Sequence, residues 1–358
     1  MNILDRKKKP FSRRELEIIG EKPALLPGRP ASKIFDTPIS YRENALSLFW
    51  EKRPCFAVTG NDFSGLTCGF YQKHLGRAGR AEGTKVDAFG VKWVFEPTAG
   101  GSISVAGNPR FTDVNDWKDV IKMPDVNDWD WAADAAEHKV DTHFAVEMTA
   151  VNGFWFERLI SLMDFMNAAM ALVDDEQTDA IQELFEATTA LACDIVDKIC
   201  TYWPSVDGFI VHDDWGSQRD PFFSDSIARE LFLPHMQKFV SHIHEKGRYC
   251  GIHSCGHVAD RVPVFIDAGI DTWQMQANAN AADIDRLYDT LGDKIVFQIS
   301  IPEFDLTDDR AAVEAARNYV DRYCQPGKPT MLIGRDALTS RVFAEEAYEY
   351  SRKHYLNL

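Results

Sequence analysis

Gly208-Phe-Ile-Val-His-Asp-Asp-Trp-Gly216 is an apolar run that breaks abruptly into residues able to move protons or bind metal. A second such run, Tyr249-Cys-Gly-Ile-His-Ser-Cys-Gly-His257, follows after one helix-like segment. Two buried-strand patterns joined by a helical crossover, both ending in chemistry, are the repeating unit of a parallel sheet. Outward from them, strand-like runs read at Cys55–Thr59, Val91–Phe95, Phe144–Met148, Thr272–Met275, Ile295–Ile299 and Met331–Ile333. With Phe209–His212 and Cys250–Ser254 the count is near eight.

Helical patterns separate these runs. In 174–203 the residues Ile181, Leu184, Phe185, Leu191, Ile195, Val196 and Ile199 form one stripe at three- and four-residue spacing. Segment 225–246 has Asp225-Ser226 as potential caps and Gly247 as a stop, with Pro234 expected to kink or break it. Segments 258–268, 281–291, 308–323 and 340–353 complete the series. The alternation predicts an α/β fold, a closed (β/α)8 TIM barrel. An open doubly wound sheet is the alternative, but no Gly-x-Gly-x-x-Gly fingerprint opens a helix. We expect residues 1–45 as an N-terminal extension and 46–358 as a single barrel domain. A long excursion around 97–142, carrying two Val-Asn-Asp-Trp copies at 114–117 and 126–129, stands in the position of a lid.

Composition narrows the function classes. Hydrophobic residues make up 45% and charged residues 26% of 358, as in an ordinary globular chain with a large core. The formal charge of −16 argues against nucleic acid, whose phosphates need a basic surface. It also disfavours a polyanionic substrate unless arginines gather in the pocket. No apolar stretch follows the basic cluster Arg6-Lys-Lys-Lys9, so no secretory leader is expected, and no run is long enough to cross a membrane. Seven scattered cysteines, an odd number, fit reduced thiols in a cytoplasmic protein.

In such a barrel the active site is built at the carboxyl ends of the strands. Those ends supply Glu147; His212, Asp213 and Asp214; His253, Cys255 and His257; Gln274 and Gln276; Gln298; Arg335 and Asp336. Any one of them could be a satisfied structural polar group, a reading favoured for Gln298 and open for Asp213. As a set they predict a functional site. His253 and Cys255 are two apart on a strand and share a face, and imidazole with thiolate suits Zn²⁺. His212 and Asp214 stand in the same relation, as a ligand pair or as a histidine oriented for proton transfer. Trp215 and Gly216 suggest a tight turn with an aromatic wall, and Trp155 and Trp273 would shape the same pocket.

At these residues the chain resembles the uroporphyrinogen decarboxylase superfamily, in particular its corrinoid-linked methyltransferase branch. The stretches that carry the resemblance are His212-Asp-Asp-Trp-Gly-Ser-Gln218, Leu233-Pro234-His235, Gly251-Ile-His-Ser-Cys-Gly256 and Ala268-Gly-Ile-Asp271, within about 140 to 358. Tyr41-Arg-Glu-Asn44 and Arg53-Pro54 match more loosely. The resemblance implies a (β/α)8 barrel, and two departures from the family pattern refine it. The decarboxylases carry an arginine-bearing loop after the Arg-Pro strand, whereas Cys55-Phe-Ala-Val-Thr-Gly-Asn-Asp62 has none, which speaks against a porphyrinogen substrate. The zinc methyltransferases use a His-x-Cys pair and a later cysteine. The pair carries over onto His253 and Cys255, but the later position reads Leu332-Ile-Gly-Arg-Asp-Ala337, so Asp336 is the expected third metal ligand, with Glu147 or His212 to complete the set.

The resemblance thus implies a methyltransferase moving a methyl group between a small methylated compound, such as a methoxy compound, and the cobalt of a corrinoid. The chain has no Asp-x-His-x-x-Gly cobalt-ligand motif, so the cobalamin is expected on a partner corrinoid protein. His212, Asp213 and Asp214 are the expected catalytic residues. Glu147, Trp215, Gln218, Gln274, Gln276 and Arg335 are the expected substrate contacts, and zinc is the expected metal. A homodimer is the superfamily's habit. Two alternatives stand beside this reading: a metal-free decarboxylase or other lyase acting on a small carboxylated substrate, and a non-catalytic tetrapyrrole or corrinoid binder.

Overall fold

The computed structural model describes residues 8–23, 31–98, 101–301, 303–333 and 337–356. Eight parallel strands form the central sheet: β1 (Val58–Thr59), β2 (Phe63–Leu66), β3 (Ala145–Asn152), β4 (Gly208–His212), β5 (Tyr249–Ser254), β6 (Thr272–Met275), β7 (Val296–Ser300) and β8 (Met331–Ile333). Their order is β1-β8-β7-β6-β5-β4-β3-β2. The two strands at the ends of that order are consecutive in the chain, joined by the short 3₁₀ turn Gly60–Asp62. Three residues span at most about 10–14 Å, whereas eight strands laid flat would stretch roughly 34 Å. The sheet therefore curls until its ends nearly meet, and with helices between most strands it is a (β/α)8 barrel.

One of the expected strands changes place. Lys92–Glu96, the Val91–Phe95 run, pairs antiparallel with Thr84–Val86 and Gly101–Ser104 in a separate three-stranded sheet. Its alternating residues suit a ribbon with one covered face, not a barrel stave buried on both. The stave in its stead is Phe63-Ser-Gly-Leu66, paired with Ala145–Met148. The small sheet belongs to the long excursion between β2 and β3, which also holds helices Trp117–Val120 and Trp131–Glu137. Both Val-Asn-Asp-Trp copies are turns of one kind, in which the preceding aspartate, Asp113 or Asp125, accepts from the backbone N–H of Asn115 or Asn127.

Glycines set the barrel's filling. A Cβ on Gly208 would lie 2.2 Å from the Tyr249 ring, so only glycine lets that ring into the lower barrel. There Tyr249 stacks on Phe49 at 4.0 Å and joins Val58, Phe63, Ala145, Ile210, Val296 and Met331 in one cluster. Phe49 comes from helix Tyr41–Trp50, which starts with a Ser40–Glu43 capping box and plugs this end. The expected kink at Pro234 takes the form of a π-helical turn, Ala228–Phe232, just before Leu233–Glu245. Proline has no N–H for the Glu230 carbonyl four residues back, and that carbonyl instead accepts from Gln182 Nε2 at 3.0 Å. Ser224, not Asp225 or Ser226, caps the start. Among the described residues no helix is long and apolar enough to cross a membrane.

Candidate functional site

Strand register alone assembles the centre of the site. Asn152 pairs with His212, His212 with His253, His253 with Gln274, and Gln274 with Gln298. Register partners in parallel strands point to the same side, so five polar residues from β3 to β7 make one rung across the carboxyl end of the barrel. A fully apolar rung would be the ordinary filling at this depth.

The rung's hydrogen bonds fix both imidazoles. Thr272 Oγ1 donates to the Val296 carbonyl at 2.9 Å and accepts from Gln298 Nε2 at 3.4 Å. Gln298 Oε1 accepts from Gln274 Nε2 at 3.2 Å, which leaves Gln274 Oε1 to accept from His253 Nδ1 at 2.9 Å. The chain of donors runs one way, so His253 carries its proton on Nδ1 and turns the Nε2 lone pair inward. His212 is held likewise, its Nδ1 donating to Glu157 Oε2 at 2.7 Å. Both Nε2 atoms lie 3.9 Å from Asp214 Oδ1. Cys255 Sγ is 3.1 Å from His253 Nε2, and the Cys255 backbone N–H donates to Asp214 Oδ1 at 2.6 Å.

Electrostatics divides the two histidines. Burial alone would lower the His212 pKa, but the Glu157 carboxylate outweighs it and the net shift is upward. Burial and the neighbouring His212 push His253 down. Glu157 itself is held at about 2: burial opposes ionisation, and Arg77 and His212 overcome it. Burial, with Asp214 adding repulsion, drives the Cys255 thiol up to about 12.

The group His212, Asp214 and His253 offers two imidazole nitrogens and a carboxylate oxygen close enough to share one ion. Two nitrogens with lone pairs aimed at one carboxylate, each with its other nitrogen anchored by an acceptor, fit a borderline divalent ion such as zinc. Cys255 stands beside them as a further soft donor. Of the expected metal ligands, His253 groups with His212 and Asp214, and Cys255 lies beside that group. Asp336 and the expected substrate contact Arg335 lie outside the described residues.

Other expected residues fall elsewhere. Glu147 is in register with Gly208, four residues below His212 on β4, or roughly 13 Å down the barrel. There its carboxyl accepts from the Tyr249 hydroxyl at 3.0 Å, and burial raises its pKa. The cause of the misplacement is strand length, since β3 runs on to Asn152. Asp213 points away from the rung and is fully buried. It accepts from the Phe156 and Glu157 backbone N–H groups at 3.1 and 3.0 Å and from Trp215 Nε1 at 2.7 Å, capping helix Phe156–Ala171. Burial and the nearby Glu157 push it up to about 7. Trp155, Trp215 and Trp273 are among the largest fully buried side chains, so they are core and not pocket wall. Gln218 and Gln276 exchange two amide hydrogen bonds of 3.0 Å at the rim, and Gln276 also accepts from Gly256 N–H. His257 bonds Asp283 at 3.0 Å, outside the cluster.

Glu157, Arg77 and Asn152 belong to the site and were not singled out from sequence. Glu157 opens the helix after β3, a position that a first-turn acid occupies for dipole reasons alone. Arg77 comes from the excursion and has no local signal.

No family model matches the chain, and no curated protein matches it. Among solved structures, a methyltransferase from Methanosarcina mazei superposes with a TM-score of 0.50 at 14% identity, covering 73% of this chain and 75% of that one. At that identity the likeness is one of fold: the chain shares its barrel with a methyltransferase.

Proposed function

We propose that this chain is a metal-assisted methyltransferase of the uroporphyrinogen decarboxylase-like kind. It would move a methyl group between a small methylated compound and the cobalt of a corrinoid on a separate protein. The observation that carries the reading is the paired His212 and His253 Nε2 atoms facing Asp214 at the carboxyl end of the barrel. His212, Asp214 and His253 would hold the ion, with Cys255 beside them. When bound, such an ion supplies Lewis acidity toward an ether oxygen or a thiol. The chain's own residues do the rest: Glu157 and Gln274 keep each imidazole in the tautomer that leaves Nε2 free, and the Gln218–Gln276 pair offers amides to a substrate at the rim. The fold shared with a methyltransferase supports the reading.

A second reading, metal-free decarboxylation, is favoured by one observation: Glu157 stabilises His212 as an imidazolium, a proton donor to a carbanion. Metal analysis of protein purified without added metal separates the two. The methyltransferase reading expects about one equivalent of a divalent ion per chain, lost in His212→Ala and His253→Ala together with methyl transfer to a corrinoid protein. An active, metal-free His253→Ala variant contradicts it.

A further inference from the structure

The adjacent residues Glu157 and Arg158 are gripped by opposite charges from the excursion. Arg77 Nη2 lies 3.2 Å from Glu157 Oε1, and Asp87 Oδ2 accepts from Arg158 Nη1 at 2.8 Å. The Asp87 and Arg158 side chains are at most 3% exposed, and Asp87 also accepts from the Phe89 and Val91 N–H groups and from Trp93 Nε1. The Arg77 guanidinium lies 4.4 Å from the centroid of that same Trp93 ring. So the small sheet, its tryptophan and Arg77 form one body fastened to the first turn of helix Phe156–Ala171.

Access for Arg77 depends on Gly153. This residue has φ +76°, and a Cβ there would stand 2.9 Å from Arg77 Nη2 and 2.9 Å from Glu157 Cβ. Asp213 holds the Glu157 backbone N–H from the other side. With its backbone fixed by Asp213 and one carboxylate oxygen engaged by Arg77, Glu157 has its second oxygen directed at His212 Nδ1. Without Arg77, the first oxygen loses its ion pair and the carboxylate is less firmly held toward the imidazole.

We propose that Arg77 is a positioning residue: by fixing the Glu157 carboxylate, it sets the orientation and tautomer of His212. The segment from Arg77 through Trp93 is then a structural partner of the barrel's chemistry. The proposal rests on the metal-site reading for its functional meaning, while its geometry is independent of that reading.

The test uses Arg77→Gln and Arg77→Lys in the full chain, with two readouts. The first is Co(II) affinity, followed by visible absorption and competition with a chelator. The second is the ring N–H proton of His212 Nδ1 in the metal-free protein, a downfield resonance protected by its bond to Glu157, with Glu157→Gln as the reference for its loss. Arg77→Gln is expected to weaken Co(II) binding about 10–100-fold, the range for loss of an outer-shell partner, and to lose or shift the ring proton while keeping a cooperative melt. Arg77→Lys, which keeps the charge without the planar guanidinium, is expected to recover part of both. An unchanged ring proton and unchanged Co(II) affinity in Arg77→Gln overturn the proposal. Should Arg77→Gln not fold, the same unchanged readings in Arg77→Lys overturn it. If the unsubstituted protein takes up no Co(II), the metal reading fails, and the ring proton still decides the role of Arg77.

Discussion

The His212 and His253 rings stack with centroids 4.6 Å apart and planes 10° from parallel. Stacked imidazoles cannot both carry charge cheaply at this separation, and their surroundings share it out: Glu157 favours a charged His212, and burial beside it favours a neutral His253. Of the two rings, His212 is the readier to take an extra proton and His253 the readier to keep its lone pair. An ion held by His212, His253 and Asp214 would compete with that proton for His212 Nε2.

Metal affinity should therefore fall with pH in a set direction. Protons compete for His212 Nε2, and the raised pKa of that group makes the competition begin above the ordinary histidine value of about 6.5. Measured from pH 8.5 down to 5.5, Co(II) or zinc affinity should decline with about one proton taken up per ion lost. A flat profile across that span contradicts a site that includes His212.

Glu157 should contribute to acid stability. Its folded pKa of about 2 lies below the ordinary 4.5, so the contribution is full above 4.5 and is lost as pH falls toward 2. The shift corresponds to about 3 kcal/mol at neutral pH. Glu157→Gln should lose stability at pH 7 and show a shallower decline between pH 5 and 3 in denaturant titrations. Parallel pH curves for variant and parent would rule this out.

Asp62 should act with the opposite sign. Buried, and only partly relieved by bonds from Thr59 and by Lys22, its pKa is raised to about 7 from 3.8. The folded state binds the proton more tightly, so stability is greatest below about 3.8 and is lost as pH rises through 7. Asp62→Asn, which stays neutral, should gain on the parent as pH rises from about 3.5 to 8, by roughly 2–4 kcal/mol between the two. Equal differences at both pH values would show that the Asp62 charge is not what costs stability.

Gly208→Ala tests the packing below the rung. Its Cβ would overlap the Tyr249 ring, and overpacking of this kind costs about 1–3 kcal/mol. Thermal melts should show that loss, and the displaced Tyr249 should weaken its bond to Glu147. A melt unchanged from the parent contradicts the tight fit.

Much of the barrel was legible because buried parallel staves read as unbroken apolar runs: Phe209–His212, Cys250–Ser254 and Thr272–Met275 stand within a residue of their observed bounds. Phe63-Ser-Gly-Leu66 was not legible, since four residues with a serine and a glycine carry no period, and Lys92–Glu96 imitated a stave. His212, Asp214, His253 and Cys255 were legible as strand-end polar residues. Their outer partners were not: Gln274 has a direction only through Gln298 and Thr272, and Arg77 reaches Glu157 across 80 positions of chain. The tryptophans misled for a physical reason. An indole beside a strand end fills the helix–barrel seam as readily as it lines a mouth, as Trp215 does against Phe223, Phe232 and Phe265.

The most direct measurement is anomalous diffraction at the zinc edge from crystals grown with zinc. One strong peak is expected, bounded by His212 Nε2, His253 Nε2 and the Asp214 carboxylate. A zinc-bound protein whose peak lies away from those three residues, or fully zinc-soaked crystals with no peak between them, would contradict the metal-site reading.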